Sequence, residues 1–334
     1  MKKKVRIVLI ILAVLVIIVG LLSCGDDYEE ESYEEYTEDT EQYEDEGYEQ
    51  EISENETEDS TESAYSQIDL DSDGQFPFGT CRKLEGKTVV VTLFVNDLST
   101  SWDLQNNQQD IEMYRNMVTR TRIGYDWIEE QAKAYGKDVE IISDFEADPD
   151  LFYQVDLEAD FTDNAYHIDV VKPFLGENMH DLGAKLMERY GADNIHFAIY
   201  INSPQNTEMV SYAYPYLGEM MDLPYECAVY SAYVYGAEQG PAMYAHEFLH
   251  TFGAPDVYMA NNSINPINIT QEFVDYCTEN HRNEIMYSNY DISDNSVNFN
   301  MVTNELTDLT AYYLGWIDYN QECEQFGVDV REDK

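Results

Sequence analysis

Gln239-Gly240-Pro241-Ala242-Met243-Tyr244-Ala245-His246-Glu247-Phe248-Leu249-His250-Thr251-Phe252-Gly253-Ala254-Pro255-Asp256 is the stretch that ties local structure to chemistry in this chain. Pro241 suits the first turn of a helix, and Gly253 suits the left-handed position just past its end. At 3.6 residues per turn, His246 and His250 stand one turn apart on one face, close enough to share one Zn²⁺. Glu247 lies one residue round, beside the metal rather than on it, where a base must stand to take a proton from activated water. Met243, Ala245, Phe248, Leu249 and Phe252 give the helix an apolar surface with which to pack.

Two histidines leave a catalytic zinc one protein ligand short. Gly253 lets the chain reverse, and Asp256 returns ten residues after His246 as a competent carboxylate ligand, leaving a fourth position open. With six histidines in 334 residues, a chance His-Glu-x-x-His arises on the order of once in a hundred such chains, so the motif carries weight before its helical frame is counted. An alternative third ligand is Glu272, 22 residues beyond His250, but that choice leaves Gly253 and Asp256 without a role. His167, His180, His196 and His281 have no ligand spacing and read as surface or hydrogen-bonded histidines.

Around this helix the pattern is α+β. Thr88–Val95 is β-branched and almost wholly apolar, as expected of a strand covered on both faces. A long helix follows, with Ile111, Tyr114, Val118, Tyr125, Ile128, Ala132 and Tyr135 at three- and four-residue steps and Thr121 as the one break, until Gly136 stops it. Asp138–Phe145, Ile195–Ile201 and Ala228–Tyr235 read as further strands, and Asn178–Tyr190 as a shorter helix. Strand, long helix, strand is the start of a right-handed crossover.

The charge is unevenly placed. The chain carries 67 acidic and 18 basic side chains, a formal net charge of −49. Residues 1–25 hold four basic and no acidic groups, Asp26–Asp73 hold 23 acidic and no basic ones, and the rest holds 44 against 14. Such acidity repels phosphate, which excludes a nucleic-acid binder. Lys2, Lys3, Lys4 and Arg6 before the apolar run Ile7–Leu22 form the charged and hydrophobic regions of an export signal, over residues 1–23. Leu21-Leu22-Ser23-Cys24 resembles a bacterial lipobox, which implies lipidation of Cys24 and attachment to the outer face of a membrane; an uncleaved anchor would also leave the rest of the chain outside. Residues 24–75 have almost no aliphatic side chains and read as a disordered, self-repelling tether with a reach of roughly 40 Å, leaving 76–334 as the folded domain. Asp69, Asp71, Asp73 and Gly74 echo half of a calcium loop, but its twelfth position falls on Thr80, so Ca²⁺ has only weak support.

His246-Glu247-Phe248-Leu249-His250-Thr251-Phe252-Gly253-Ala254-Pro255-Asp256 resembles the extended zinc motif of metzincin peptidases whose third ligand is Asp, as in snapalysin-like and immune-inhibitor-A-like bacterial proteases. The resemblance implies a twisted mixed sheet with long helices, the zinc helix at the floor of a cleft, and a methionine turn beneath the metal. Asn283-Glu284-Ile285-Met286-Tyr287-Ser288 is the candidate turn, with Met286 at its centre. Leu306–Trp316 resembles the helix ending in Leu-Gly-Trp of the immune-inhibitor-A type. Some metzincins place a tyrosine two residues after the methionine; here that position is Ser288, so Tyr287 and Tyr290 are the candidates to support an oxyanion. Cys81, Cys227, Cys277 and Cys323 make an even set that suggests two disulfides in an exported chain, with Cys81–Cys323 a pairing that would staple the domain's ends. The expected activity is zinc-dependent hydrolysis of protein or peptide substrates. The alternative from a different class is a surface adhesion lipoprotein with an inactive zinc site, against which an intact Glu247 argues.

Overall fold

The apolar run at Thr88 becomes β1 (Gly86–Asn96), buried from Thr88 to Val95. A computed structural model describes residues 81, 83–158, 178–206, 209–214, 226–260 and 269–328. β1 pairs in parallel with β4 (Asn194–Ile201) on one side. On its other side it pairs first with β2 (Val139–Ile142) and then with β3 (Phe152–Asp156), both parallel. β6 (Glu226–Ser231) extends the sheet in parallel beyond β4, and β5 (Tyr212–Tyr214) closes that edge antiparallel. The six-stranded sheet is therefore mixed, in the order β2-β1-β4-β6-β5, within a mixed α and β fold compatible with the α+β class. The described residues belong to one compact unit, Ala64–Lys334.

Side chains alternate between two cores, as the strand period of two requires. Val89, Val91, Leu93 and Val95 of β1 join Ile195, Phe197, Ile199 and Ile201 of β4 on one face. Val90 and Phe94 join Ala198 and Tyr200 on the other, larger face, where the helix bearing His246 also packs.

Several expected boundaries move. β2 ends at Ile142 rather than Phe145 because the Asp144 carboxylate accepts the N–H groups of Glu146 and Ala147 and turns the chain. β3, Phe-Tyr-Gln-Val-Asp, is an additional short strand outside the expected set. β6 ends at Ser231 rather than Tyr235, because Val234 bridges Ala237 across a tight turn in which Tyr235 takes φ +47°. The helix α1 (Gln108–Ala134) is present, capped by the Asn107 side chain. Its buried stripe runs through Met113, Met117, Arg120, Thr121, Gly124, Tyr125, Ile128 and Ala132, so Thr121 lies within it rather than interrupting it. The Thr121 hydroxyl donates to the Met117 carbonyl at 2.8 Å and accepts from the Tyr200 phenol at 2.9 Å, which makes its burial tolerable.

α2 (Asn178–Tyr190) precedes β4, and α3 (Pro241–Thr251) crosses α1 at close range. A Cβ on Gly124 would lie 2.8 Å from the Pro241 carbonyl oxygen and 3.2 Å from the Ala245 nitrogen, so only glycine permits that approach. The C-terminal part supplies α4 (Gln271–Asn280), α5 (Asp308–Tyr313) and α6 (Gln321–Phe326). Trp316, at the end of the Leu-Gly-Trp segment, donates its indole N–H to the Leu84 carbonyl at 2.6 Å and ties this end to the start of β1.

Among the described residues the expected disulfides are absent: Cys81, Cys227, Cys277 and Cys323 are all buried, and Cys227, Cys277 and Cys323 are free thiols. Cys81 Sγ donates to the Ile195 carbonyl at 3.5 Å, and Cys323 Sγ to the Tyr313 hydroxyl at 3.6 Å. Cys227 faces the opposite core from the other three. Burial pushes the thiols of Cys227 and Cys277 up to about 12 and that of Cys323 up to about 11, so they are inert core groups rather than nucleophiles. The leader, Cys24, the acidic segment, Asp69–Gly74 and His167 lie outside the described residues, as does the side chain of His180.

Candidate metal centre

α3 opens at Pro241 after Gly240 and ends in a Schellman turn. The Ala254 N–H reaches the Leu249 carbonyl at 3.2 Å, the Gly253 N–H reaches the His250 carbonyl at 2.9 Å, and Gly253 takes φ +87°. That reversal brings Asp256 back over the helix. His246 Nε2 and His250 Nε2 lie 3.0 Å apart, and Asp256 Oδ1 lies 3.2 Å from the first and 3.1 Å from the second. The three atoms make a nearly equilateral triangle on a buried floor, and they are the only His, Cys, Asp or Glu group of three among the described residues able to hold a metal ion.

The donor chemistry fits an ion. His246 Nδ1 lies 2.8 Å from the Ile285 carbonyl, and His250 Nδ1 lies 2.7 Å from the Ala254 carbonyl. Carbonyls only accept, so both Nδ1 atoms carry the proton and each neutral ring turns its Nε2 lone pair inward. Two such lone pairs and a carboxylate oxygen approach one another as acceptors, which calls for positive charge between them. A proton satisfies an in-line pair, whereas a cation satisfies three converging donors at once. A tetrahedral ion with bonds of about 2.0–2.1 Å sets its ligands roughly 3.3 Å apart, within a few tenths of an ångström of the observed edges. The His250 side chain keeps 16% exposure against 6% for His246 and 8% for Asp256, so the centre opens to solvent beside His250.

Met286 is fully buried in the turn below. Its carbonyl accepts the Val257 N–H at 3.1 Å, next to Asp256, while the adjacent Ile285 carbonyl orients His246. One turn thus holds a ligand from the helix and the loop that carries the third ligand. The turn is itself fixed by Glu284, whose buried carboxylate accepts the Thr307 N–H at 2.8 Å and the Thr310 hydroxyl at 2.7 Å at the start of α5. Burial raises the Glu284 carboxyl, and these hydrogen bonds oppose the rise.

The two carboxyls at the centre are driven apart. For Asp256, burial favours the neutral acid, but positive charge at His250 and His246, whose place a bound cation would take between neutral rings, outweighs it and holds the group well below the usual carboxylate range. For Glu247, burial dominates and lifts the carboxyl to about 7, with His246 pulling down and Asp256 pushing up. His250 is raised, because Asp256 and the Ala254 carbonyl overcome its burial.

Other expectations fare differently. Glu272 is exposed in the first turn of α4 and is not part of the ligand group, which removes it as third ligand. The Tyr287 hydroxyl donates to Thr278 Oγ1 at 3.1 Å, away from the ligands. The Tyr290 phenol is raised by burial. His281 Nε2 lies 2.9 Å from a Glu322 carboxylate oxygen, an ion-pair contact outside the ligand group. His196 does not fit that description: it is fully buried in β4, with neither ring nitrogen hydrogen-bonded among the described residues and its ring edge-on to Phe248 at 4.8 Å.

The residue missed in the sequence is Tyr258. Its ring lies nearly parallel to that of His246, centroids 6.4 Å apart at 26°. Burial, then the charges of Asp256 and Glu247, push its phenol far up. The available signal was spacing, since residues i and i+2 of an extended segment share a side. The centre stands on this geometry alone, because no protein-family model and no curated protein matches the chain.

Proposed function

We propose that the chain is a zinc-dependent endopeptidase of metzincin-like architecture, displayed outside a bacterial cell through lipidated Cys24 and the acidic tether. The observation that carries this reading is the convergence of three lone-pair donors, His246 Nε2, His250 Nε2 and Asp256 Oδ1, beside a buried Glu247. Two imidazoles and a carboxylate make a zinc ligand set that leaves a fourth position open, as catalysis requires and a structural site does not. The buried Met286 turn, hydrogen-bonded to Val257 and supporting His246, favours the metzincin resemblance over an unrelated metal helix.

When bound, Zn²⁺ supplies Lewis acidity toward a peptide carbonyl and acidifies water at the open position. Glu247 does the proton work. Its carboxyl near 7 lets it accept a proton from the attacking water and return the same proton to the leaving amine at neutral pH. Asp256 cannot share that role, because positive charge beside it holds it ionised. The carbonyls of Ile285 and Ala254 fix the two rings, so the site is ordered before substrate arrives.

The test is Glu247→Gln in the full chain, assayed on a protein mixture with new N-termini identified by mass spectrometry. Metal content should stay at one ion per chain while cleavage falls about 10²–10⁴-fold. Wild-type cleavage by this variant would remove the assignment.

A further inference from the structure

The metal centre belongs to the part of the domain that is nearly stripped of basic side chains. Residues 74–190 carry 22 acidic and 11 basic groups, whereas residues 191–328, which supply α3, Asp256, the Met286 turn and α4 to α6, carry 19 acidic and one basic, Arg282. Lys87, Lys137, Arg122 and Arg189 pair with carboxylates of the first part, and Arg120 crosses to Glu238 at 2.7 Å.

Two exposed carboxylates of the second part stand on the segments that bracket α3. Asp294 lies in the loop 291–300, which crosses the start of the helix so closely that a Cβ on Gly240 would collide with the Asn298 carbonyl and come within 2.9 Å of Val297 Cγ1. Glu305 is paired with the turn below: its carbonyl accepts the Ile285 N–H at 2.8 Å, and the Ile285 carbonyl in turn holds His246. Neither carboxylate has a Lys or Arg partner among the described residues.

We infer that the polypeptides this centre cleaves are cationic: Lys- and Arg-rich chains, drawn to the site by the negative field of residues 191–328, with basic side chains flanking the scissile bond. This rests on the peptidase reading above and names its substrate class.

A divalent ion in the centre is offset by Asp256 and Glu247, so the surrounding carboxylates set the sign of the field. Carboxylates without counter-charges raise the local concentration and on-rate of an oppositely charged ligand by about 10–10³-fold at low salt, and they repel a ligand of like charge, which is selection by exclusion. Solubility alone does not account for the pattern, since charge serving solubility has no reason to leave the basic groups in one part of the domain and the metal centre in the other.

The test uses the full chain and three peptides that share one cleaved core, taken from the mapping of new N-termini, with flanks of Lys, Gln or Glu. At about 10 mM salt, where the screening length is roughly 30 Å, kcat/KM should be at least about 10-fold higher for the Lys-flanked than for the Glu-flanked peptide, with the Gln-flanked one between them. At about 1 M salt, where that length is roughly 3 Å, the gap should close. Asp294→Asn with Glu305→Gln should cut the low-salt preference about 3-fold and leave the Gln-flanked rate and the metal content at wild type. The acidic segment 26–73 has charge of the same sign but is identical in both proteins, so it cannot produce a difference between them. Equal rates on the Lys and Glu peptides, a preference that persists at high salt, or an undiminished preference in the double variant would each overturn the inference, while cleavage itself would leave the peptidase reading standing. Failure to cleave any of the three peptides would overturn both.

Discussion

His196 is a buried base with nothing to hold, and its replacement should stabilise the protein most at low pH. It lies in β4 between Val90 of β1 and Glu226 of β6, fully buried, with both ring nitrogens lacking a hydrogen-bond partner among the described residues. Burial lowers its pKa to about 3 from the ordinary 6.5. Below pH 6.5 the unfolded chain therefore binds a proton that the folded chain refuses, and stability falls as pH falls. The slope is about 1.4 kcal/mol per pH unit, or roughly 5 kcal/mol by pH 3. At pH 8 the ring is neutral in both states, and only its unsatisfied nitrogens count, about 1–3 kcal/mol. His196→Leu removes both effects. Urea unfolding of wild type and variant, in chelator so that pH-dependent metal binding does not enter, should show the variant ahead by about 1–3 kcal/mol at pH 8. The gap should widen by about 2 kcal/mol more at pH 5. A gap that stays constant between pH 8 and pH 5 would refute the reasoning, because it would mean that the folded state accepts the proton as readily as the unfolded one.

Asp256→Ala should lose Zn²⁺ on dialysis and lose peptidase activity with it, whereas Glu272→Ala, altered on an exposed helix face, should retain both when metal content is measured by mass spectrometry. Gly124→Ala forces a methyl group to within 2.8 Å of the Pro241 carbonyl oxygen. It should lower stability by about 1–3 kcal/mol in urea unfolding and weaken Zn²⁺ binding as α3 is displaced; unchanged values for both would show that the α1–α3 approach has slack.

The elements read most surely from sequence were those whose burial is uniform. β1 and β4 are apolar on both faces because the sheet is covered on both, and an uninterrupted β-branched run has no other good place to be. α1 is legible as a helix, with Tyr125, Ile128 and Ala132 buried as their spacing suggests, but in its first half the buried face falls on Met113 and Met117 rather than Tyr114 and Val118, and it includes Thr121 and Gly124, which hydropathy scores as breaks. Thr121 is buried because Tyr200 and the Met117 carbonyl satisfy its hydroxyl, and Gly124 because α3 comes too close for any side chain. Neither reason exists until the tertiary contact does. The cysteines misled in the same way: an even count in an exported chain argues for pairing, but pairing needs facing side chains, and Cys227 points into the opposite core from Cys81, Cys277 and Cys323.

The centre divides along the same line. His246, Glu247, His250 and Asp256 were legible because helix periodicity and one glycine turn place them within eleven consecutive residues, so local geometry alone determines their meeting. The groups that orient them come from farther away. The carbonyl that fixes His246 belongs to Ile285, 39 residues on, and the carboxylate that fixes that turn, Glu284, is itself held by Thr307 and Thr310. A backbone carbonyl leaves no mark on a sequence, since every residue has one, and Glu284 reads as one more acid among 67. Tyr258 falls between these cases: its spacing from Asp256 is local, but among 28 tyrosines spacing alone does not single it out. Its ring over His246 does, and that contact depends on the direction in which the chain leaves Gly253. The ligand set is therefore a property of one short segment, while its rigidity is a property of the whole fold. Variants far from the metal, at Glu284 or Gly124, act on the second without touching the first.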